Sequence, residues 1–148
     1  MSTYTQILYQ IIFATKDHEK TLLDSGHDDL YKFIWGILKN KNCHPYIINA
    51  VQDHIHIVTH LHPTICLADL VKDIKLSSTK YIKDEKLFPN FKGWQNGYGA
   101  FTYSYSANDK LIAYVANQKE HHKLFCFREE YIALLKEHGV EFDEKYLL

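Results

Sequence analysis

The order of apolar patterns along the chain predicts an α+β fold of the ferredoxin-like type. It is an antiparallel sheet built as β-α-β-β-α-β with two helices on one face. A helix bearing a tyrosine and one further helix follow. Three observations predict it. Residues 54–62 alternate, with Ile55, Ile57 and Leu61 on one parity and His54, His56, His60 and His62 on the other. Two segments, 27–40 and 66–81, repeat apolar residues at helical spacing. Runs rich in β-branched and aromatic residues flank them, with turn residues between.

Taken in order, Tyr4 to Thr15 reads as the first strand, being β-branched and aromatic throughout. Lys16 to Gly26 is charged and turn-like. His27 to Asn40 carries Leu30, Ile34, Trp35 and Leu38 at helical spacing and stops at Lys39-Asn40-Lys41-Asn42. His44 to Val51 is the second strand, and Gln52-Asp53 turns tightly into the histidine strand. A second helix follows Pro63-Thr64, with Thr64 as its candidate cap and Cys66, Leu67, Leu70, Ile74 and Tyr81 as its apolar stripe. Its other face carries Lys72, Lys75, Ser77, Ser78, Thr79, Lys80 and Lys83. Phe88 to Asn96 is loop, and Gly97 to Ser106 is the fourth strand, alternating Phe101, Tyr103 and Tyr105. Ser106 to Asp109 has the spacing of a capping box for a helix running to His122. Phe125 to His138 is the last helix, ended by Gly139. The two ferredoxin-like helices are expected on the Ile55/Ile57 side, which leaves the histidine side open.

The 148 residues suit a single domain, residues 1–148, with no internal repeat or linker. No apolar run is long enough for a bilayer, and Met1 to Thr15 does not read as a secretory signal. Three scattered cysteines, Cys43, Cys66 and Cys126, fit reduced thiols, so a cytoplasmic setting is expected. A net charge of −1 argues against sequence-blind binding of duplex DNA, which needs many phosphate-neutralising cations. The composition is unusual in its ten histidines and its many aromatics.

Two imidazoles at i and i+2 on one strand face stand about 6–7 Å apart at the backbone, close enough to lean onto one metal ion. Downstream, Tyr114, Gln118 and His122 follow at i, i+4 and i+8 and share one helix face. Alone, either feature has an ordinary reading: a polar strand face, or a half-buried tyrosine beside a surface amide.

Together, Asp53-His54-Ile55-His56, Gly93-Trp94-Gln95-Asn96-Gly97-Tyr98 and Tyr114-Val115-Ala116-Asn117-Gln118 with His121-His122 resemble a known family. So does Ile11-Ile12-Phe13-Ala14-Thr15-Lys16. The family is the single-tyrosine transposases of small bacterial insertion sequences, within the His-hydrophobic-His endonuclease superfamily. The resemblance covers about residues 4 to 130. It implies that His54, His56 and Gln118 hold a divalent metal, Mg²⁺ or Mn²⁺, and that Tyr114 is the nucleophile. It implies single-stranded DNA with hairpin ends as substrate, a 5′-phosphotyrosine intermediate and no nucleotide cofactor. It also implies a homodimer whose sites can be completed in trans. Lys72, Lys75, Lys80, Lys83, Trp94 and Tyr98 are the candidates for strand contact. His60 and His62 lie outside the motif and carry no role. Two other readings stand beside this one: a non-cleaving module that binds single-stranded nucleic acid, and a metal-dependent nuclease that uses water.

Overall fold

The computed structural model describes residues 2–147. Strands β1 (Leu8–Ala14), β2 (His44–Ala50), β3 (His54–His60) and β4 (Gly99–Tyr103) form one antiparallel sheet in the order β2-β3-β1-β4. Helices α1 (His27–Asn40) and α2 (Leu67–Asp84) occupy the two crossover positions of the ferredoxin-like arrangement. Among the described residues three α-helices follow β4: α3 (Asn108–Ala116), the four-residue α4 (Gln118–His121) and α5 (Phe127–Glu137).

Strand alternation sorts the sheet into two faces. Ile11, Phe13, Ile48, Ala50, Ile55 and Ile57 point one way. They pack on Leu30, Ile34 and Leu38 of α1 and on Leu70, Val71, Ile74 and Ile82 of α2. The heptad-like spacing of those helix residues is what buries them together. Trp35 falls beside that stripe and is exposed. Ser78, counted on the polar face of α2, is buried instead. Its hydroxyl donates to Ile74 O and accepts the indole N–H of Trp94 at 2.9 Å.

The other face is not open. Leu111 and Val115 of α3 cover Leu8 and Val58. Phe127, Tyr131, Leu134 and Leu135 of α5 cover Ile12, Ala14 and Phe101. The sequence signal for this lay in the register: Leu8, Ile12 and Ala14 stand opposite His60, His56 and His54. An aliphatic row beside histidines needs a cover, because exposing it costs about 25 cal/mol per Å².

Several boundaries differ from expectation. The first strand starts at Leu8, and the fourth spans only Gly99–Tyr103. Helix α2 is preceded by Cys66 and not by Thr64, whose hydroxyl bonds the His62 ring at 2.7 Å. Ser106 does not cap α3, since its hydroxyl pairs with Ser104. The expected 110–122 helix breaks at Asn117, which separates α3 from α4. Gly139 ends the last helix with φ of +68°, as a left-handed C-terminal glycine does.

Helix α5 approaches β4 closely because Gly99 has no side chain. A Cβ there would lie 2.6 Å from the Tyr131 ring, which is itself stacked on Phe127. Gly99→Ala is therefore expected to push α5 off the sheet at a cost of about 1–2 kcal/mol. Hydrogen exchange should show faster opening in α5 with little change in α1 and α2. Equal protection in both halves would show that Tyr131 simply swings aside.

Candidate active site

The site lies on the α3/α5 face, between those two helices. Its floor is sheet. His54 and His56 are both fully buried, with ring centroids 5.1 Å apart. Each ring is held at Nδ1. His54 Nδ1 lies 2.7 Å from Asp53 Oδ1, and His56 Nδ1 lies 2.7 Å from Gln10 Oε1. With the Gln10 amide N–H donated to the Tyr103 hydroxyl at 2.8 Å, its oxygen faces His56. A ring that donates from Nδ1 presents a lone pair at Nε2, the form that binds metal. Both Nε2 atoms point to the space between the helices.

One wall is α3 and α4. Tyr114 is half-buried, with its ring centroid 6.1 Å from that of His56. Asn49 of β2 anchors this wall: its amide N–H reaches Val115 O at 2.8 Å, the open carbonyl end of α3. The break at Asn117 turns Gln118 inward, where it is fully buried, and His122 follows it. The tyrosine helix and the two imidazoles thus converge within one chain.

The other wall is α5, and it brings a residue that sequence reasoning missed. Glu130 is 4 % exposed and sits at the centre of the cluster. Its Oε1 lies 3.0 Å from His122 Nε2, 3.1 Å from His56 Nε2 and 3.4 Å from His54 Nε2. Its Oε2 accepts the Tyr114 hydroxyl and, at 2.9 Å, the Gln118 amide N–H. A signal existed: Phe127, Glu130, Tyr131, Leu134 and Leu135 are one helix face, and a carboxylate within an apolar stripe needs a partner. Gln10 stood out in the same way, between Leu8 and Ile12 on one strand face.

The electrostatics follow from this packing. Burial would raise the Glu130 carboxyl, but the facing imidazoles of His122, His54 and His56 outweigh it and hold Glu130 as an anion. Burial pushes His56 down to about 4 despite its contact with Glu130. Burial also works against protonated His54, yet the Asp53 and Glu130 contacts hold its pKa above the ordinary value. Burial, the Glu130 charge and the hydrogen bond to Glu130 all push Tyr114 well above the usual phenol range.

Donors for a cation are plentiful. His54, His56, His122 and Glu130 each offer one ligand atom, all within 4.8 Å of one another. His54 Nε2 and Gln118 Oε1 are buried with no hydrogen-bond partner, as expected of atoms waiting on a ligand. The residues therefore fit a divalent metal.

The strand-contact candidates are scattered. Lys72, Lys80 and Lys83 lie exposed along α2, Lys80 being paired with Asp84. Lys75 is tied to the carbonyls of Gln95 and Gly97, at 2.9 and 2.6 Å. Trp94 packs edge-on against Phe13 and Phe91 and is a core residue with little ring left to stack a base. Tyr98 is half-buried beside a cavity of about 390 Å³ that Lys72 also lines. A second cavity, of about 610 Å³, opens at His122 and Asp53 and is rimmed by Lys20, Lys119 and Lys123, which the sequence reading did not single out.

Comparison with known proteins adds the following. The profile of the family described as "Transposase IS200 like" matches residues 3–118. No curated protein matches the chain. Among solved structures, a candidate transposase from Deinococcus radiodurans R1 is similar with a TM-score of 0.62 at 22 % identity, covering 80 % of this chain and 95 % of that one. A REP-associated tyrosine transposase bound to a REP hairpin is similar with a TM-score of 0.62 at 14 % identity, covering 82 % of this chain and 74 % of that one. At these identities the two structures speak for the fold.

Proposed function

The chain belongs to the IS200-like transposase family, and on that premise we propose that it cuts and rejoins single-stranded DNA with Tyr114 as nucleophile. One observation carries the reading: Tyr114 meets His54 and His56 around a single point inside one fold. Supporting it, the Nε2 atoms of His54 and His56 both face Glu130 Oε1, whose other carboxylate oxygen accepts the Tyr114 hydroxyl.

A divalent cation held here supplies Lewis acidity to a non-bridging phosphate oxygen. The chain's own residues do the rest. The Tyr114 hydroxyl, oriented by its hydrogen bond to Glu130 Oε2, attacks phosphorus, and the hydrogen it sheds is matched by the one that the departing O3′ gains. A tyrosine–phosphate bond forms and the P–O3′ bond breaks, leaving a 5′-phosphotyrosine link and a free 3′-OH. A second 3′-OH reverses the step and joins new strands, so no nucleotide cofactor is consumed. Until phosphate arrives, the Glu130 anion keeps the phenol protonated and inert.

Exposed Lys20, Lys119 and Lys123 at the larger cavity, with Lys72, Lys80 and Lys83 on α2, are the groups available to a DNA backbone. Hairpin-bearing ends as substrate, and a homodimer with sites shared between subunits, belong to the same proposal. The test is to incubate the chain with a hairpin-bearing single strand and Mn²⁺, digest, and map the adduct by mass spectrometry. The expected product is a nucleotide on the peptide containing Tyr114. Scission without any adduct would favour a water-using nuclease, and tight binding without scission a non-cleaving module.

A further inference from the structure

We propose that α5 completes the cation site, with Glu130 and His122 as third and fourth donors beside His54 and His56, and Gln118 as the residue that positions Glu130. The inference rests on the cation-binding part of the proposed function. It concerns residues beyond 118, where the family match ends.

The first argument is geometric. Four donors held about 2.1 Å from a tetrahedral metal stand about 3.4 Å from one another. Glu130 Oε1 lies 3.4, 3.1 and 3.0 Å from the Nε2 atoms of His54, His56 and His122. These three separations match, or fall a few tenths of an ångström short of, the edges that would run from one corner of such a tetrahedron. A carboxylate oxygen that faces three imidazole nitrogens at once has the placement of a fellow ligand.

The second argument is a count of donors and acceptors. His54 and His56 direct Nδ1 at Asp53 and Gln10 Oε1, both acceptors. Their Nε2 atoms then carry lone pairs aimed at an anionic oxygen. Lone pairs facing each other repel unless positive charge lies between. Protonating both rings would place two imidazoliums with centroids 5.1 Å apart, in contact and mutually repelling. One divalent ion supplies the charge while every ring stays neutral.

The third argument concerns Gln118. Its amide N–H is donated to Glu130 Oε2 at 2.9 Å, so the amide holds the carboxylate from behind. Oε1 of Glu130 faces the imidazoles, while Oε2 faces Gln118 and Tyr114. One carboxylate thus links the cation to the nucleophile. It also makes the docking of α5 part of the metal site.

A set of three imidazoles and one carboxylate takes Mn²⁺, Co²⁺ or Zn²⁺ ahead of Mg²⁺, which prefers oxygen ligands and keeps its waters. The test uses the whole chain and reads metal, not turnover. Wild type, Glu130→Gln, His122→Asn, Gln118→Ala and His54→Ala are titrated with Co²⁺ by visible absorption and with Mn²⁺ by calorimetry. Wild type is expected to give the intense spectrum of four-coordinate Co²⁺. Glu130→Gln and His122→Asn are expected to lose that spectrum and to weaken both metals by about 10²-fold or more. Gln118→Ala is expected to weaken them by about 10-fold, the lower end for an outer-shell partner. His122 is less buried than Glu130 and borders the larger cavity, so its variant keeps the test decisive should Glu130→Gln fold poorly. Wild-type affinity in both Glu130→Gln and His122→Asn, with binding lost in Gln118→Ala and His54→Ala, overturns this inference and leaves the cation reading intact. Uptake of neither metal by wild type sinks both.

Discussion

Tyr114→Phe is expected to leave a folded protein that binds hairpin-bearing DNA and forms no covalent adduct. The substitution removes one oxygen. The ring stays against Val58, Leu111 and Val115, so the packing that docks α3 is kept. Glu130 loses one donor but keeps the Gln118 amide N–H and the imidazoles. The cost in stability is that of one hydrogen bond to a charged acceptor, about 1.5–3 kcal/mol. The chemical loss is far larger. A nucleophile deleted from a covalent mechanism takes the whole step with it, so adduct formation should fall by about 10³-fold or more. A denaturing gel after incubation with Mn²⁺ reads this directly. An adduct of wild-type yield in Tyr114→Phe would move the nucleophile elsewhere.

Acidification is expected to destabilise the metal-free protein well before carboxylates protonate. His56 has a folded pKa lowered to about 4 by burial, against an ordinary value of 6.5. A histidine depressed in this way contributes stability that is complete above 6.5 and is lost as pH falls from 6.5 towards 4. Over the step from pH 7 to pH 5 that loss is about 2 kcal/mol, at 1.4 kcal/mol per unit. His54 works the other way. Its folded pKa is raised, so its contribution is present below 6.5 and is lost as pH rises through the folded value. It offsets part of the His56 loss, so the net fall is smaller than the His56 contribution alone. Glu130 enters only below the ordinary carboxyl range, because its folded pKa is depressed and its contribution persists down to there. Urea midpoints at pH 7 and pH 5 measure the net effect, and His56→Asn should show a flatter dependence. A wild-type midpoint unchanged or raised at pH 5 would mean that His56 is not held neutral.

The family match and the ferredoxin-like order confirm what strand alternation and helical spacing predicted. Local patterning carried that prediction because each element buries its own stripe. Ile55 and Ile57, for example, could face the helices only if His54 and His56 faced the other way. The convergence of Tyr114 on those histidines was likewise anticipated from spacing and resemblance, and the structure places them together. The role of Tyr114 stays with the adduct experiment.

Other features could not be read so early. Ser78 looked like a solvated position until Trp94, brought over from a loop, gave it an indole N–H. Trp94 in turn looked available to DNA until Phe13 and Phe91 closed on it. The histidine face looked open because α5 was counted as an appendage, whereas its Phe127 and Tyr131 pack onto the sheet.

Sequence alone determined the sheet, its two parities and the candidacy of His54, His56 and Tyr114 for metal-binding and nucleophilic chemistry, because those depend on neighbours two to four positions apart. Tertiary structure decided that Glu130 stands among three imidazoles and touches Tyr114. That contact joins a residue of α5 to one of β3 74 positions earlier. No periodicity spans such a distance; only the burial of an apolar helix face against the sheet brings the carboxylate there.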